Sequence, residues 1–201
     1  MVSRETLLEK YFQEKGSEIT RYAQMLGTLG IERGLIGPKE GERIWDRHIA
    51  NCIPVTTLIP QGSSVVDIGS GAGLPGIVIA LARPDTHVTL VEPLQRRVDF
   101  LNEVVTELNL SDQITVIRGK AETTRGSFDV VTSRAVAPLP KLLPMVRHLI
   151  KSGGSLLAIK GESAQAEIDA TPLNKQKALL HEIQLPIADF DLARVIEVQK
   201  A

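Results

Sequence analysis

The sequence is poor in cysteine and in aromatic residues, and it carries almost no net charge. Its single cysteine, Cys52, cannot form a disulfide within the chain and cannot by itself build a zinc site. Aromatic residues make up 3% of the 201 residues, so the chain offers little surface on which a nucleobase could stack. A net charge of −1 argues against a generic nucleic-acid binder, which usually has a basic surplus, but it leaves room for a local basic face.

Long hydrophobic runs are also scarce. The apolar stretch at residues 77–82 is far shorter than the roughly 20 residues that a membrane-spanning helix needs. Residues 1–5 begin no signal-like apolar core. We therefore expect a cytoplasmic protein without a membrane partner and without a metal. With 43% hydrophobic residues, the chain can form one well-packed domain with a small appendage.

The residue pattern changes near position 62. Before it, apolar residues recur at helical spacing, which predicts three or four short helices over residues 1–61. After it, strand, turn and helix patterns alternate, which predicts an α/β fold with a parallel sheet covered on both faces. The predicted strands lie at 65–68, 87–92, 114–117, 128–132 and 155–159, and the predicted helices begin near 75 and span 94–108, 139–150 and 164–180.

The last two apolar runs, at residues 183–187 and 192–198, are separated only by Ala188–Asp191. So short a link suits an antiparallel hairpin, because parallel neighbours need a crossover of about a dozen residues or more. We therefore expect a closing antiparallel strand, which departs from the all-parallel dinucleotide fold.

The segment VVDIGSGAGLPG, residues 65–76, fits two glycine motifs in overlapping frames. Gly71, Gly73 and Gly76 spell G-x-G-x-x-G, the dinucleotide fingerprint. That frame would leave Asp67 and Gly69 in or just beyond a buried strand, where a charge and a glycine fit badly. In the frame D-x-G-x-G-x-G, Asp67 ends the strand at the carboxyl edge of the sheet, where open α/β folds bind ligands. This second frame predicts a loop for an adenosyl group.

Three further roles follow from positions near this loop. Gly69, Gly71 and Gly73 would let the backbone approach the cofactor. Asp67 would order the loop through backbone N–H groups. Glu92 ends the next predicted strand and suits an acceptor for ribose hydroxyls in either frame.

Several motifs together resemble the bacterial ribosomal RNA small subunit methyltransferase G family, also called glucose-inhibited division protein B. They are the loop itself, LVEP ending at Pro93, GKAE at 119–122, TSRAVAPL at 132–139, LLAIKGE at 156–162 and WDRHIANC at 45–52. The similarity runs from about residue 20 to the end of the sequence. It implies a class I S-adenosylmethionine-dependent methyltransferase domain at 62–201, Rossmann-like with a mostly parallel seven-stranded sheet, behind the helical element at 1–61.

The resemblance also implies the reaction and some of the site. The expected reaction is methylation of N7 of a guanine in 16S ribosomal RNA. Apart from the resemblance, we expect a monomer whose substrate is the free RNA or the small ribosomal subunit. The matching cofactor-binding positions are Gly69, Leu74, Ala121, Glu122 and Arg134. Arg134 would also bridge cofactor and RNA, and it is the one candidate for a catalytic role. Lys120 departs from the arginine of many members, so it keeps the charge but loses the planar fork.

The residues that other methyl transfers use are missing near the predicted strand ends. Guanine N7 is an unprotonated lone pair, so the enzyme needs no general base and contributes mainly positioning. Methylation of pyrimidine C5 commonly uses a cysteine, but Cys52 lies in the helical part. Enzymes that methylate an exocyclic amine usually have an N/D-P-P-Y/F motif after the fourth strand, where this chain has Ser133–Val136.

Four residues are candidates for binding RNA: Arg47, His48, Lys160 and Arg194. Lys160 ends the fifth predicted strand and could meet a phosphate, as could Arg194 if the hairpin folds toward the site. A histidine in a helix is more often structural than functional, so only the resemblance supports His48. Two alternatives stay open: a small-molecule methyltransferase on the same fold, favoured by the near-neutral charge, and a nicotinamide-binding oxidoreductase or nucleotide-binding module using the Gly71 frame.

Overall fold

A computed structural model describes residues 4–173, 176–185 and 192–200, in which seven strands form one sheet of order β3-β2-β1-β4-β5-β7-β6. The strands β1 to β5 run parallel, and β7 is antiparallel to both β5 and β6. The predicted α/β class and the closing antiparallel strand are therefore confirmed. The strands are β1 Ser64–Ile68, β2 His87–Glu92, β3 Ile114–Arg118, β4 Phe128–Arg134, β5 Ile150–Lys160, β6 Ala178–Ile183 and β7 Ala193–Gln199.

The described helices lie on both faces of this sheet. They are α1 Arg4–Leu7, α2 Gly16–Met25, α3 Ala50–Thr56, α4 Gly76–Ala82, α5 Gln95–Glu107, α6 Leu139–Val146 and α7 Ala164–Asp169. Short 3₁₀ and π segments join the first three into two continuous stretches, residues 4–30 and 38–56. The prediction of three or four short helices agrees with the three α-helices of this region, although the joining segments make them more continuous than the sequence indicates.

The predictions at the carboxyl end need correction. The helix predicted at 164–180 ends at Asp169, because Pro172 disfavours the helical conformation at the residue before it. Residues 178–183 form β6 instead, so the strand predicted at 183–187 was wrong except at Ile183, where β6 ends; residues 186–187 lie outside the described residues. The antiparallel pairing of β6 with β7 confirms the hairpin, while its predicted link, Ala188–Asp191, lies outside the described residues. The helix predicted at 139–150 gives way to β5 at Ile150.

The N-terminal helices share a core with the sheet. Alternate residues of a strand point to opposite faces, so Val65 packs in one apolar cluster and Val66 in the other. The first cluster contains Tyr22 and Ile53 of the N-terminal helices together with Ile77 of α4. The division at residue 61/62 stays a prediction. In the described ranges, no helix combines the length and the apolar character needed to cross a membrane.

Candidate active site

The loop that joins β1 to α4, residues 69–75, lies at the carboxyl end of the parallel strands. Gly69, Gly71 and Gly73 have φ angles of 68°, 59° and 94°, a region that residues with side chains rarely adopt. A Cβ on Gly69 would lie 2.7 Å from Cγ2 of Val136, and one on Gly73 would lie 3.0 Å from the hydroxyl of Tyr22. Both positions therefore require glycine for conformation and for space.

The strand boundaries decide between the two glycine frames. The prediction that Asp67 ends the strand was wrong by one residue: β1 ends at Ile68, because Asp67 still pairs with both neighbouring strands, and Gly69 follows the strand directly. Gly71, the first glycine of the dinucleotide frame, lies further along the loop, and α4 begins at Gly76. The loop thus has the arrangement expected from the frame that starts at Asp67.

Asp67 is fully buried in the centre of the sheet, where β1 pairs with β2 and β4. Its Oδ2 accepts a hydrogen bond of 3.0 Å from the backbone N–H of Gly76, and Ser70 Oγ donates to its carbonyl at 2.9 Å. Its Oδ1 is buried with no hydrogen-bond partner among the described residues. Burial raises the pKa of Asp67 to about 7, although the Gly76 N–H and Arg134 favour the charged form. The carboxyl group ties the strand end to the start of α4.

Glu92, at the end of β2, is 1% exposed and contacts the same loop. Its Oε2 accepts a hydrogen bond of 2.9 Å from the Gly71 N–H, and its Oε1 accepts one of 3.0 Å from the Leu94 N–H. The Arg97 guanidinium lies 3.6 Å from Oε2. The carboxylate is therefore already held in a fixed orientation at the cofactor edge of the sheet.

The remaining predicted cofactor residues lie at this edge or beneath it. Ala121 and Glu122 form a short 3₁₀ turn after β3, with Ala121 buried and Glu122 exposed. The Gly119 N–H donates to the Glu92 carbonyl at 3.2 Å, which places this turn beside the end of β2. Leu74 is buried under the loop. The fold thus brings together residues from the ends of three neighbouring strands.

Tyr22 is a site residue that sequence reasoning missed. Its side chain is fully buried, and its hydroxyl donates a hydrogen bond of 2.7 Å to the carbonyl of Ala72 in the loop. Burial raises the pKa of Tyr22 well above its usual value, so the phenol stays protonated. In the sequence, Tyr22 belongs to a series of apolar residues at helical spacing. That pattern predicts a buried side chain but not the acceptor of its hydroxyl group.

Arg134 ends β4 and lines an open cleft of about 850 Å³ beside the loop. Lys160 and Arg194 line the same cleft. Lys160 is nearly buried: its ammonium donates to the Ala137 carbonyl at 2.6 Å and pairs with Glu167 at 2.8 Å. The phosphate contact predicted for Lys160 stays a prediction, and in this structure its ammonium already has these two partners.

Those contacts of Lys160 hold the cleft wall in place. Glu167 also accepts from the Leu139 N–H at 2.7 Å, so the pair secures both ends of the segment 137–139. Arg194 donates to Glu182 at 3.0 Å, with its side chain 25% exposed. Arg194 is therefore more accessible to a phosphate than Lys160 is.

Arg47 and His48 are adjacent in the sequence but occupy different environments. The Arg47 side chain is 53% exposed and donates to Glu40 at 2.8 Å. The His48 side chain is 16% exposed and lies between Glu40 and Arg134. The structure therefore brings His48, but not Arg47, into contact with a predicted cofactor residue.

The only cysteine of the sequence has no nucleophilic character at neutral pH. Cys52 is buried, and burial raises the pKa of its thiol to about 11. In the described part of the chain, no three His, Cys, Asp or Glu side chains are grouped to hold a metal ion.

Comparisons with known proteins agree with this geometry. Residues 15–190 match the family described as GidB, rRNA small subunit methyltransferase G. The chain is 55% identical over 163 residues to a ribosomal RNA small subunit methyltransferase G of Kineococcus radiotolerans, a match covering 80% of this chain and 64% of that protein. It is 56% identical over 151 residues to the protein of the same name from Thermobifida fusca, covering 74% and 63%. The matched region is thus less than two thirds of each relative's length.

A solved structure supports the fold. The chain superposes on a SAM-dependent methyltransferase from Aquifex aeolicus with a TM-score of 0.56 and 16% sequence identity, covering 78% of this chain and 91% of that one. At this identity the likeness concerns the fold alone, which is that of class I methyltransferases.

Proposed function

Because this chain belongs to the rRNA small subunit methyltransferase G family, we propose that it transfers the methyl group of S-adenosylmethionine to N7 of a guanine in 16S ribosomal RNA. The observation that carries the proposal is the loop 69–75, which combines three glycines of positive φ with the buried carboxyl groups of Asp67 and Glu92. This arrangement stands at the carboxyl edge of the sheet, where α/β folds bind their ligands.

The loop residues fit the methyl donor. Gly69, Gly71 and Gly73 hold the loop in a conformation with positive φ, and a Cβ at Gly69 or Gly73 would clash with neighbouring side chains of the protein. Asp67 Oδ1, a buried acceptor without a partner among the described residues, suits a cationic amino group. Glu92 would accept from ribose hydroxyls, with Leu74, Ala121 and Glu122 around the adenosyl group. When bound, S-adenosylmethionine supplies a methyl group on a positively charged sulfur, which the N7 lone pair attacks.

The protein's part in this chemistry is positioning. N7 of guanine carries no proton, so the transfer needs no general base, and effective molarities from orientation alone are large. Tyr22 and Cys52 stay protonated at neutral pH and stand outside the reaction. Arg134 lies between the loop and the cleft, where a guanidinium can contact both the cofactor and an RNA phosphate. Arg194 and the exposed Arg47 would add phosphate contacts.

Transfer of labelled methyl groups to 16S RNA or to small-subunit particles tests this function. Primer extension after chemical cleavage at 7-methylguanine locates the product. Glu92→Ala should lose more cofactor affinity than its loss of stability accounts for, and it serves as the inactive control. No transfer despite tight S-adenosylmethionine binding would overturn the proposal, and so would binding of NAD without binding of S-adenosylmethionine. RNA binding that weakens steeply with salt would argue against a small-molecule substrate.

We also propose that the protein acts as a monomer in the cytoplasm, where its ribosomal RNA substrate is made. Light scattering during size-exclusion chromatography would give a mass near 21.9 kDa for this chain.

A further inference from the structure

A chain of polar contacts connects the N-terminal helices to Arg134. His48 lies on the π-helical segment Ile44–Ile49, and its Nδ1 is 3.4 Å from Nη2 of Arg134. On the other side of the ring, Nε2 lies 3.0 Å from Oε2 of Glu40, whose Oε1 accepts from Arg47 at 2.8 Å. The imidazole therefore has one partner at each ring nitrogen.

The chemistry of these partners determines the protonation of the ring. A guanidinium has donors only, so Nδ1 can bond Arg134 only as an acceptor. A carboxylate has acceptors only, so Nε2 must donate to Glu40. The neutral Nε2–H tautomer alone satisfies both contacts. A proton on Nδ1 would place a second hydrogen-bond donor opposite the Arg134 guanidinium, and in the doubly protonated ring it would also bring two positive charges together.

We propose that His48 is a positioning residue, which holds the Arg134 guanidinium at the rim of the methyl-transfer site through Nδ1 while Glu40 keeps the ring in the Nε2–H tautomer. The proposal rests on the proposed function, because it assumes that Arg134 belongs to the methyl-transfer site. It replaces the RNA contact predicted for His48, because a side chain 16% exposed between two partners offers little to a phosphate.

The charges around the ring agree with a neutral imidazole. Burial and the nearby Arg134 lower the pKa of His48, and Arg47 acts in the same direction, whereas Glu40 opposes them. The contact with Arg134 should therefore persist at neutral pH and be lost in acid. Arg134 also faces Asp67, Tyr22 and Cys52 electrostatically, and Asp67 titrates near neutrality. A pH profile thus needs a reporter on His48 itself.

Nitrogen-15 NMR of the imidazoles provides that reporter and depends on neither cofactor nor activity. With four histidines in the chain, assignment by single substitution is practical. We expect the Nε2–H tautomer for His48 and a pKa below its ordinary 6.5, and Arg134→Met should raise that pKa. An Nδ1–H tautomer, or a pKa that Arg134→Met leaves unchanged, would refute the proposal.

A double-mutant cycle on S-adenosylmethionine affinity then measures the positioning. His48→Ala should weaken binding by about three- to tenfold, the effect of one hydrogen bond. In the Arg134→Met background the same change should have almost no effect. His48→Asn keeps an amide oxygen near the position of Nδ1 and should recover most of the affinity, whereas His48→Gln, whose amide reaches the position of Nε2, should not.

The matched control is His181→Ala, which removes another histidine–carboxylate pair, 2.8 Å from Glu197 in the hairpin of β6 and β7. It should leave the affinity unchanged. Equal losses from His48→Ala with and without Arg134 would contradict positioning, as would a folded His48→Asn that recovers nothing. Should the wild type bind the donor but methylate no RNA, the proposed function fails while the cycle still decides the role of His48. If the wild type binds no S-adenosylmethionine, or if the His48 variants do not fold, the NMR comparison of the wild type with Arg134→Met decides whether His48 contacts Arg134.

Discussion

Replacing Asp67 by Asn should remove a loss of stability that the wild type suffers as pH rises. Burial raises the pKa of Asp67 from its ordinary 3.8 to about 7. Between these values the folded state keeps a proton that the unfolded chain has released, so the folded state binds more protons. The free energy of unfolding therefore falls as pH rises from about 4 to 7 and levels off above that range. Asparagine has nearly the same shape and no charge to bury.

The size of the effect follows from the shift. A difference of about three pKa units corresponds to about 4 kcal/mol over the whole range, at about 1.36 kcal/mol per unit. About 2 kcal/mol of it should fall between about pH 5.5 and pH 8, where the protein is convenient to study. Urea unfolding of the wild type and Asp67→Asn across that interval, followed by circular dichroism, gives the difference directly.

Asp129 provides a control of opposite sign. Hydrogen bonds from Ser64 and Lys151 lower its pKa to about 2, so the stability it contributes is present above about pH 4 and is lost as pH falls toward 2. Asp129→Asn should therefore shift the whole curve between pH 5.5 and 8 without changing its slope. If the wild type and Asp67→Asn lost stability in parallel over that interval, Asp67 would be ionised in the folded protein and the reasoning would be refuted.

Three further substitutions test other contacts of the site. Gly69→Ala should lower the free energy of unfolding by about 1–3 kcal/mol through backbone strain and should also weaken S-adenosylmethionine binding in calorimetry. Gly62→Ala, at φ 69° in open space, should show only the loss of stability. Equal S-adenosylmethionine binding by the two variants would contradict the close packing at Gly69. Tyr22→Phe should lower the free energy of unfolding by about 1 kcal/mol and weaken donor binding, and unchanged affinity would separate the hydroxyl from the loop. Lys160→Met should cost about 2–3 kcal/mol, because Glu167 loses its cation but keeps the Leu139 N–H. The double variant with Glu167→Gln should be more stable than the sum of the single losses predicts; strict additivity in urea unfolding would show that the pair is not coupled.

The parts of the site that follow directly from strand ends were predictable from the sequence. A buried apolar run followed by closely spaced glycines marks a strand and its ligand loop, because glycine is disfavoured inside such a strand; the pattern placed the strand end one residue early, since the buried Asp67 lies inside β1. Glu92 was predictable as the acid that ends the neighbouring strand. These inferences needed only local pattern and the rule that parallel strands present their carboxyl ends together.

Contacts between distant parts of the chain were not predictable. Tyr22 meets Ala72 across 50 positions, and His48 meets Arg134 across 86. Apolar periodicity correctly marks Tyr22 as a core residue, but it carries no information about where a buried hydroxyl finds its acceptor. For Lys160 the position was predictable and the partner was not: the sequence places it at the end of β5, but gives no sign that Glu167 pairs with it.

The two long-range contacts connect the N-terminal helices to the residues of the candidate site. Tyr22 fixes a loop carbonyl on the cofactor side, and His48 contacts Arg134 on the cleft side. Both side chains belong to helices that share one apolar core with α4. A donor that binds only the ordered loop must therefore also stabilise these helices, and a loosened helix must weaken donor binding by the same coupling free energy.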